Sequence, residues 1–422
     1  MELKMNYQYT YFIHPFVVKE SKYQKYILKL IKDKRFKLKV FQKGKDFDLY
    51  RFFSPKMKNF LFSSFSHSKL KLDKLEELPD DTKSAILSKY PCTIFEYSIE
   101  EDIQGKTEDR GIFFKIQKIE IICFNTGICF LNMKTNIEDS RNFSDILNFN
   151  YKFRDIKQEN TLKSYDKIYL QMSNFSDVNK LNEFIKDITG SDIETMKLDI
   201  DTQRFLTYSY VCIDSEAWNA NKGFENIEYN FIKFANFLPA DNSADLTSNE
   251  TTIFSEWKYA KMGFSKQGVV LFTSSCDINN FTELPNKFEN EFFYTYVLNL
   301  YKQIYLKKLE SEFRVSSNLK IARKKFIEFT KNLWVQDITD DEIGSSINYK
   351  FGKIFELDRL YYEIKTKYDV LYKELNIEKN SKAIIAVTII LVISLIFNIL
   401  NYIELIKWFK WLYLVFWLEI GD

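Results

Sequence analysis

The chain has 422 residues, enough for about two to three domain-sized units with a sizeable core. Its 60 basic and 58 acidic residues leave a net charge of +2 with the signs interspersed, which argues against a dedicated nucleic-acid binder. The five cysteines (Cys92, Cys123, Cys129, Cys212 and Cys276) are odd in number and form no CxxC pair, so a reduced, cytosolic setting is expected rather than a disulfide framework.

The opening segment MELKMNYQYTYFIHPFVV has no uninterrupted apolar core followed by a small-residue cleavage site, so no signal peptide is expected. Strand-like runs follow at Tyr7–Val18, Lys37–Gln42, Ile116–Phe124, Ile128–Lys134, Phe205–Ile213 and Val269–Thr273, with helix-like runs at Lys19–Lys32 and Val178–Thr189. Asn125-Thr126-Gly127 separates two β-rich runs, and a glycine able to take positive φ there predicts a hairpin.

No proline follows Pro285, which predicts a change from mixed α/β to nearly all helix. NKFENEFFYTYVLNLYKQIYLKKLESEF predicts a long amphipathic helix, and a second helix is expected near Leu319–Asn332. Further on, Leu357, Tyr361, Ile364, Tyr368, Leu371 and Leu375 form a heptad stripe. It reads either as a stalk packing against copies of itself or as a helix of an intrachain bundle.

Residues Ala383 to Ile403 form a run of about 21 uncharged residues. At ~1.5 Å per residue this spans the ~30 Å hydrocarbon layer, where an isolated segment must be helical to satisfy its backbone. The tail Leu405 to Asp422 carries Trp408, Trp411 and Trp417. It reads either as a second span, with a turn near Asn401–Lys407, or as an amphipathic helix on the far surface with Lys407 and Lys410 in water. Lys365, Lys367, Lys373, Lys379 and Lys382 precede the first span, and this bias places the N-terminal domain in the cytoplasm.

The fold class expected is therefore an α+β cytoplasmic domain (a mixed sheet with helices), then a long helical stalk and a C-terminal transmembrane helical hairpin. The boundaries are 1–284 for the sensor-like domain, 285–382 for the stalk region and 383–422 for the membrane region, with spans at 383–403 and 405–420.

Chemistry is sparse along the chain. The two histidines are His14 and His67, and neither a P-loop nor GxGxxG occurs, so no enzyme is expected. Asp337, Asp340, Asp341 and Glu342 would suit a divalent cation, yet a helix N-cap with first-turn acids explains them more simply; Asp199 and Asp201 read the same way. Within the span, Ser394, Asn398 and Asn401 share one helical face, with Val387, Ile390 and Leu391 nearer the cytosol. This face would line a pore with an apolar constriction, or make helix–helix hydrogen bonds.

The order of parts resembles the CorA superfamily of divalent-cation channels. The FNTGICFLNMKTN, FSDILNFNYKFRD, KYAKMGFSKQGVVLF and FFYTYVLNLYKQIYLKKL segments are similar to a divergent branch found beside type III CRISPR systems. The resemblance implies a homo-oligomeric, pentameric inner-membrane channel. It would contact membrane lipid and copies of itself, respond to a small nucleotide messenger (S-adenosylmethionine joined to AMP, SAM-AMP) and bind no nucleic acid directly. Asn125, Asn150 and Arg154 lie in the resembling segments and Arg141 between the first two of them; an arginine would clamp phosphate and an asparagine would read an adenine edge, although turn formation and surface polarity account for the same residues. The family's Gly-Met-Asn is replaced by FNILNYIEL, with Asn398 or Asn401 as stand-ins, which puts selective Mg²⁺ uptake in doubt. A divalent-cation transporter with an altered mouth, or a membrane-anchored scaffold without a pore, are the alternatives.

Overall fold

The computed structural model describes residues 3–66, 69–99, 103–107, 111–138, 140–154, 168–171, 179–190, 204–242, 251–313, 319–334 and 337–419. It divides into two units, Met1–Leu360 and Tyr361–Asp422.

The first unit is built on one sheet. Its strands are β1 (Met5–Val17), β2 (Phe36–Leu38), β3 (Cys92–Tyr97), β4 (Ile103–Thr107), β5 (Phe113–Phe124), β6 (Ile128–Ile137), β7 (Ile168–Gln171), β8 (Asn179–Lys180), β9 (Leu206–Ile213), β10 (Thr252–Trp257), β11 (Ala260–Ser265) and β12 (Gly268–Ser274). The order is β10-β11-β12-β9-β1-β6-β5-β4-β7-β8, with β3 also on β5 and β2 on β3. β9 and β12 run parallel, whereas β1 is antiparallel to both its neighbours, so the sheet is mixed as expected.

Successive side chains of a strand point to opposite faces, and β1 uses both. Phe12 packs on Phe149 and Phe153 of the helix Phe143–Phe153, at centroid distances of 5.7 and 4.2 Å. Tyr9 and Tyr11 face the other way, where Tyr11 lies 4.7 Å from Phe293 and Tyr9 stacks on Tyr210 at 5.2 Å. The Tyr9 and Tyr208 hydroxyls donate to the carbonyls of Pro285 and Phe288, each at 2.8 Å. These carbonyls sit at and just before a π-turn, Phe288–Phe292, where the helical hydrogen bonding changes step.

The helix Phe293–Phe313 departs from the amphipathic expectation, because it is buried on nearly every side. The sheet covers one flank. Phe329 of the helix Leu319–Asn332 lies against Tyr305, and Phe351 of the helix Glu342–Ile354 lies against Tyr296, each at 5.4 Å. Asn299 Nδ2 also donates to Asn348 Oδ1 at 2.8 Å, which satisfies that amide inside the protein.

The Asn125–Gly127 hairpin is present, with Gly127 at φ +82°. The Val18 amide donates to the Gly127 carbonyl at 2.7 Å, and a Cβ on Gly127 would stand 2.1 Å from the Val18 carbonyl oxygen. Gly127→Ala is therefore expected to lower stability by about 1–3 kcal/mol through strain and clash. A lower urea midpoint at unchanged slope is the readout; an unchanged midpoint would show that the turn relaxes.

The last helix runs unbroken from Leu357 to Glu419. The turn expected near Asn401–Lys407 is thus not seen, and a hairpin is not shown. This stretch has neither proline nor glycine, and nothing in its backbone interrupts the helical hydrogen bonds. In the heptad stripe, Leu357 and Ile364 are buried and Tyr361, Tyr368 and Leu371 half-buried, whereas Tyr362 and Val370 are exposed. Asn380–Leu414 is long and apolar enough to cross a membrane, and none of its most apolar stretch is buried. That is compatible with membrane anchoring.

Candidate ligand-binding site

The most informative cavity lies in the first unit, where the helix Phe143–Phe153 ends. Arg154 caps that helix, and its carbonyl accepts from the Phe205 amide at 2.7 Å, which brings the start of β9 alongside. The Arg154 guanidinium donates to Gln267 Oε1 and lies 5.6 Å from the Tyr151 ring centre. Gln267 sits in the β11–β12 turn, held down because its carbonyl accepts from the Thr207 amide at 3.1 Å. Gly268 makes this approach feasible, since a Cβ there would meet the Thr207 carbonyl oxygen at 1.8 Å.

The cavity measures about 390 Å³, within the range of small-molecule sites. Among the described residues, Arg154, Arg204, Lys266, Lys307, Arg359 and the carboxylate of Glu356 line it. Phe205, Leu206, Leu300, Ile354, Phe355 and Leu360 give it an apolar side. Leu300, Gln303 and Lys307 recur at three- and four-residue steps and so lie on one face of the long helix. Gln303 Nε2 ties that face to the Phe355 carbonyl at 3.3 Å. Guanidinium forks are able to hold phosphate oxygens bidentately.

Glu356 lies at φ +52°, an uncommon conformation for a residue with a Cβ. Its Oε2 accepts from Arg359 Nε at 2.7 Å and its Oε1 lies 3.6 Å from Lys266 Nζ. The hydrogen bond from Arg359, outweighing the opposing effect of burial, holds its carboxyl below the ordinary range.

Of the four residues singled out from sequence, only Arg154 lines this cavity. Asn150 is buried one turn earlier, accepting from Thr10 Oγ1 and donating to Ser209 Oγ, both at 3.0 Å, so its amide holds the helix to the sheet. Asn125 is exposed in the hairpin turn and its amide donates to the Pro91 carbonyl at 3.1 Å. Arg141 is exposed ahead of the same helix, its carbonyl accepting from the Met5 amide at 2.7 Å. Arg204, Lys266, Lys307, Glu356 and Arg359 escape sequence reading because they come from segments far apart in the chain. The one local signal is Glu356 itself, a charged residue where a helix end usually takes glycine.

Asp341 caps the helix Glu342–Ile354 by accepting from the Gly344 amide at 2.6 Å, the simpler of the two readings of that acidic cluster. Among the described residues no group of three or more histidine, cysteine or acidic side chains is placed to hold a metal ion. Asp199 and Asp201 lie outside the described residues. Val387, Ile390, Leu391, Ser394, Asn398 and Asn401 are all exposed on the last helix.

Fold and cavity together define an α+β protein with a basic, partly apolar pocket and, among the described residues, one helix apolar enough for a bilayer. Comparison with protein-family models, curated proteins and solved structures finds no match.

Proposed function

We propose that this chain is a membrane effector of the CorA-like type, associated with type III CRISPR defence, in which a nucleotide messenger bound by the soluble unit opens an ion-conducting pore formed by several copies of the last helix. The observation that carries the reading is the Arg154 cavity. Five cationic side chains beside an apolar wall suit a ligand that joins phosphate to an aromatic base, as SAM-AMP does. The unburied helix Asn380–Leu414 supplies the element for the membrane. Its Ser394, Asn398 and Asn401 face would line the pore, and Val387, Ile390 and Leu391 would form the constriction. The uninterrupted helix through Asn401–Lys407 favours a single span, with Trp408 and Trp411 at the level of the far headgroups.

The reading is tested in liposomes carrying the full chain. Ion flux is expected to rise on adding SAM-AMP from the side of the soluble unit, and Leu391→Ser is expected to raise the flux without messenger by wetting the constriction. Flux that ignores SAM-AMP and the cyclic oligoadenylates alike would leave a messenger-gated channel without support. A monomer in detergent would point instead to the scaffold reading, and messenger-independent Mg²⁺ uptake to the transporter.

A further inference from the structure

We infer that Glu356 is a built-in occupant of the basic cavity, which the phosphate oxygens of a ligand displace, and that this displacement frees the residue on which the last helix begins. The inference rests on the anion-binding reading of the cavity and adds which group of the chain itself competes for its cations.

Three observations on one residue support it. Glu356 is the carboxylate that, among the described residues, lines the cavity beside five cationic side chains. Its oxygens turn to two of them, Lys266 from the β11–β12 turn and Arg359 from the last helix. A simple N-cap acid would instead spend its carboxylate on the amides of the first turn. Its backbone also sits at φ +52° between the helices Glu342–Ile354 and Leu357–Glu419, and its carbonyl accepts the first helical hydrogen bond, from the Leu360 amide at 3.0 Å.

The pair is built to be replaced. The Glu356 side chain is 38% exposed, and half-exposed ion pairs hold weakly. A phosphate chain carries more negative charge and more acceptor oxygens than one carboxylate, so it competes well for the same forks. Once Lys266 and Arg359 are taken, their hold on Glu356 in the left-handed region is lost, and relaxation there changes φ directly ahead of Leu357. The site is thereby linked through the chain itself to the helix that carries the apolar segment.

The test is calorimetric titration of inorganic triphosphate into the full chain in detergent. Glu356→Gln removes the competing charge, and Glu356→Gly does so while suiting positive φ, which guards against a folding defect. Both variants are expected to bind triphosphate about tenfold more tightly than the unaltered chain. In that chain, triphosphate is expected to speed amide exchange around residues 354–358. If the unaltered chain binds triphosphate and neither variant binds it more tightly, Glu356 is no occupant, and the cavity stands as an anion site without a plug. If none of the three binds triphosphate, the anion reading of the cavity falls and this inference falls with it.

Discussion

Glu120→Ala is expected to destabilise the soluble unit by about 3–5 kcal/mol, the usual cost of removing one partner from a buried ion pair. Glu120 on β5 is 1% exposed and lies between Lys118 Nζ at 3.1 Å and Lys39 Nζ at 3.3 Å. Lys39 also donates to the Tyr294 hydroxyl at 3.1 Å, so the group joins β5 to the long helix and the segment after β2. Burial alone would raise the Glu120 carboxyl; Lys118 and Lys39 outweigh it and hold the carboxyl at about 2. Because the folded value lies below the unfolded one, the stabilisation is fully present above the unfolded carboxyl's ordinary range. It is lost as pH falls towards 2. The stability gap between the unaltered chain and this variant is therefore expected to be full at pH 7 and to shrink as pH falls from about 4.5 towards 2, as read by urea titration. A gap that stayed constant down to the acid end of that window would mean that the substitution acts through packing rather than charge.

Arg154→Gln is expected to weaken triphosphate binding by about 10- to 100-fold, the loss of one or two charge-assisted hydrogen bonds to phosphate. Arg154→Lys is expected to recover part of the loss, since it keeps the charge without the fork. Asn125→Ala and Arg141→Ala should bind as the unaltered chain does, because neither residue reaches the cavity. Asn150→Ala should lower stability and leave binding nearly intact, since its amide joins Thr10 and Ser209 inside the protein. If Arg154→Gln bound triphosphate normally while Arg141→Ala did not, the site would lie elsewhere on the unit.

Much of the framework was readable from periodicity. β5, β6, β9 and β12 fall within a few residues of the expected runs, and the helix Leu319–Asn332 falls where predicted. These elements announce themselves through hydrophobic runs bounded by glycine or polar turns. Short strands such as β4, β7 and β8 do not, because a few residues in a sheet draw their stability from neighbours rather than from their own pattern. The long helix after Pro285 read as amphipathic because its tyrosines, asparagines and lysines count as polar, yet tertiary partners bury many of them. The pocket was legible at one position, Arg154. Arg204 and Lys266 are brought beside it by the Phe205–Arg154 and Thr207–Gln267 backbone bonds, and Lys307 and Arg359 come from helices tied by the Gln303–Phe355 bond, none of which a local pattern encodes. The tail read as a hairpin through its tryptophans, whereas the backbone simply continues.

That continuous helix acts as a ruler. Between Lys382 and Glu404 lie 21 residues without a charge, or about 31 Å of helix, so a bilayer with a core near ~30 Å accepts the segment with little tilt. In a thicker membrane the charged ends would be drawn inward unless the lipid thinned around them, and in a thinner one the helix would lean. On the membrane reading proposed above, bilayer thickness would bear on how this segment sits, and reconstitution in lipids of graded acyl length tests that directly.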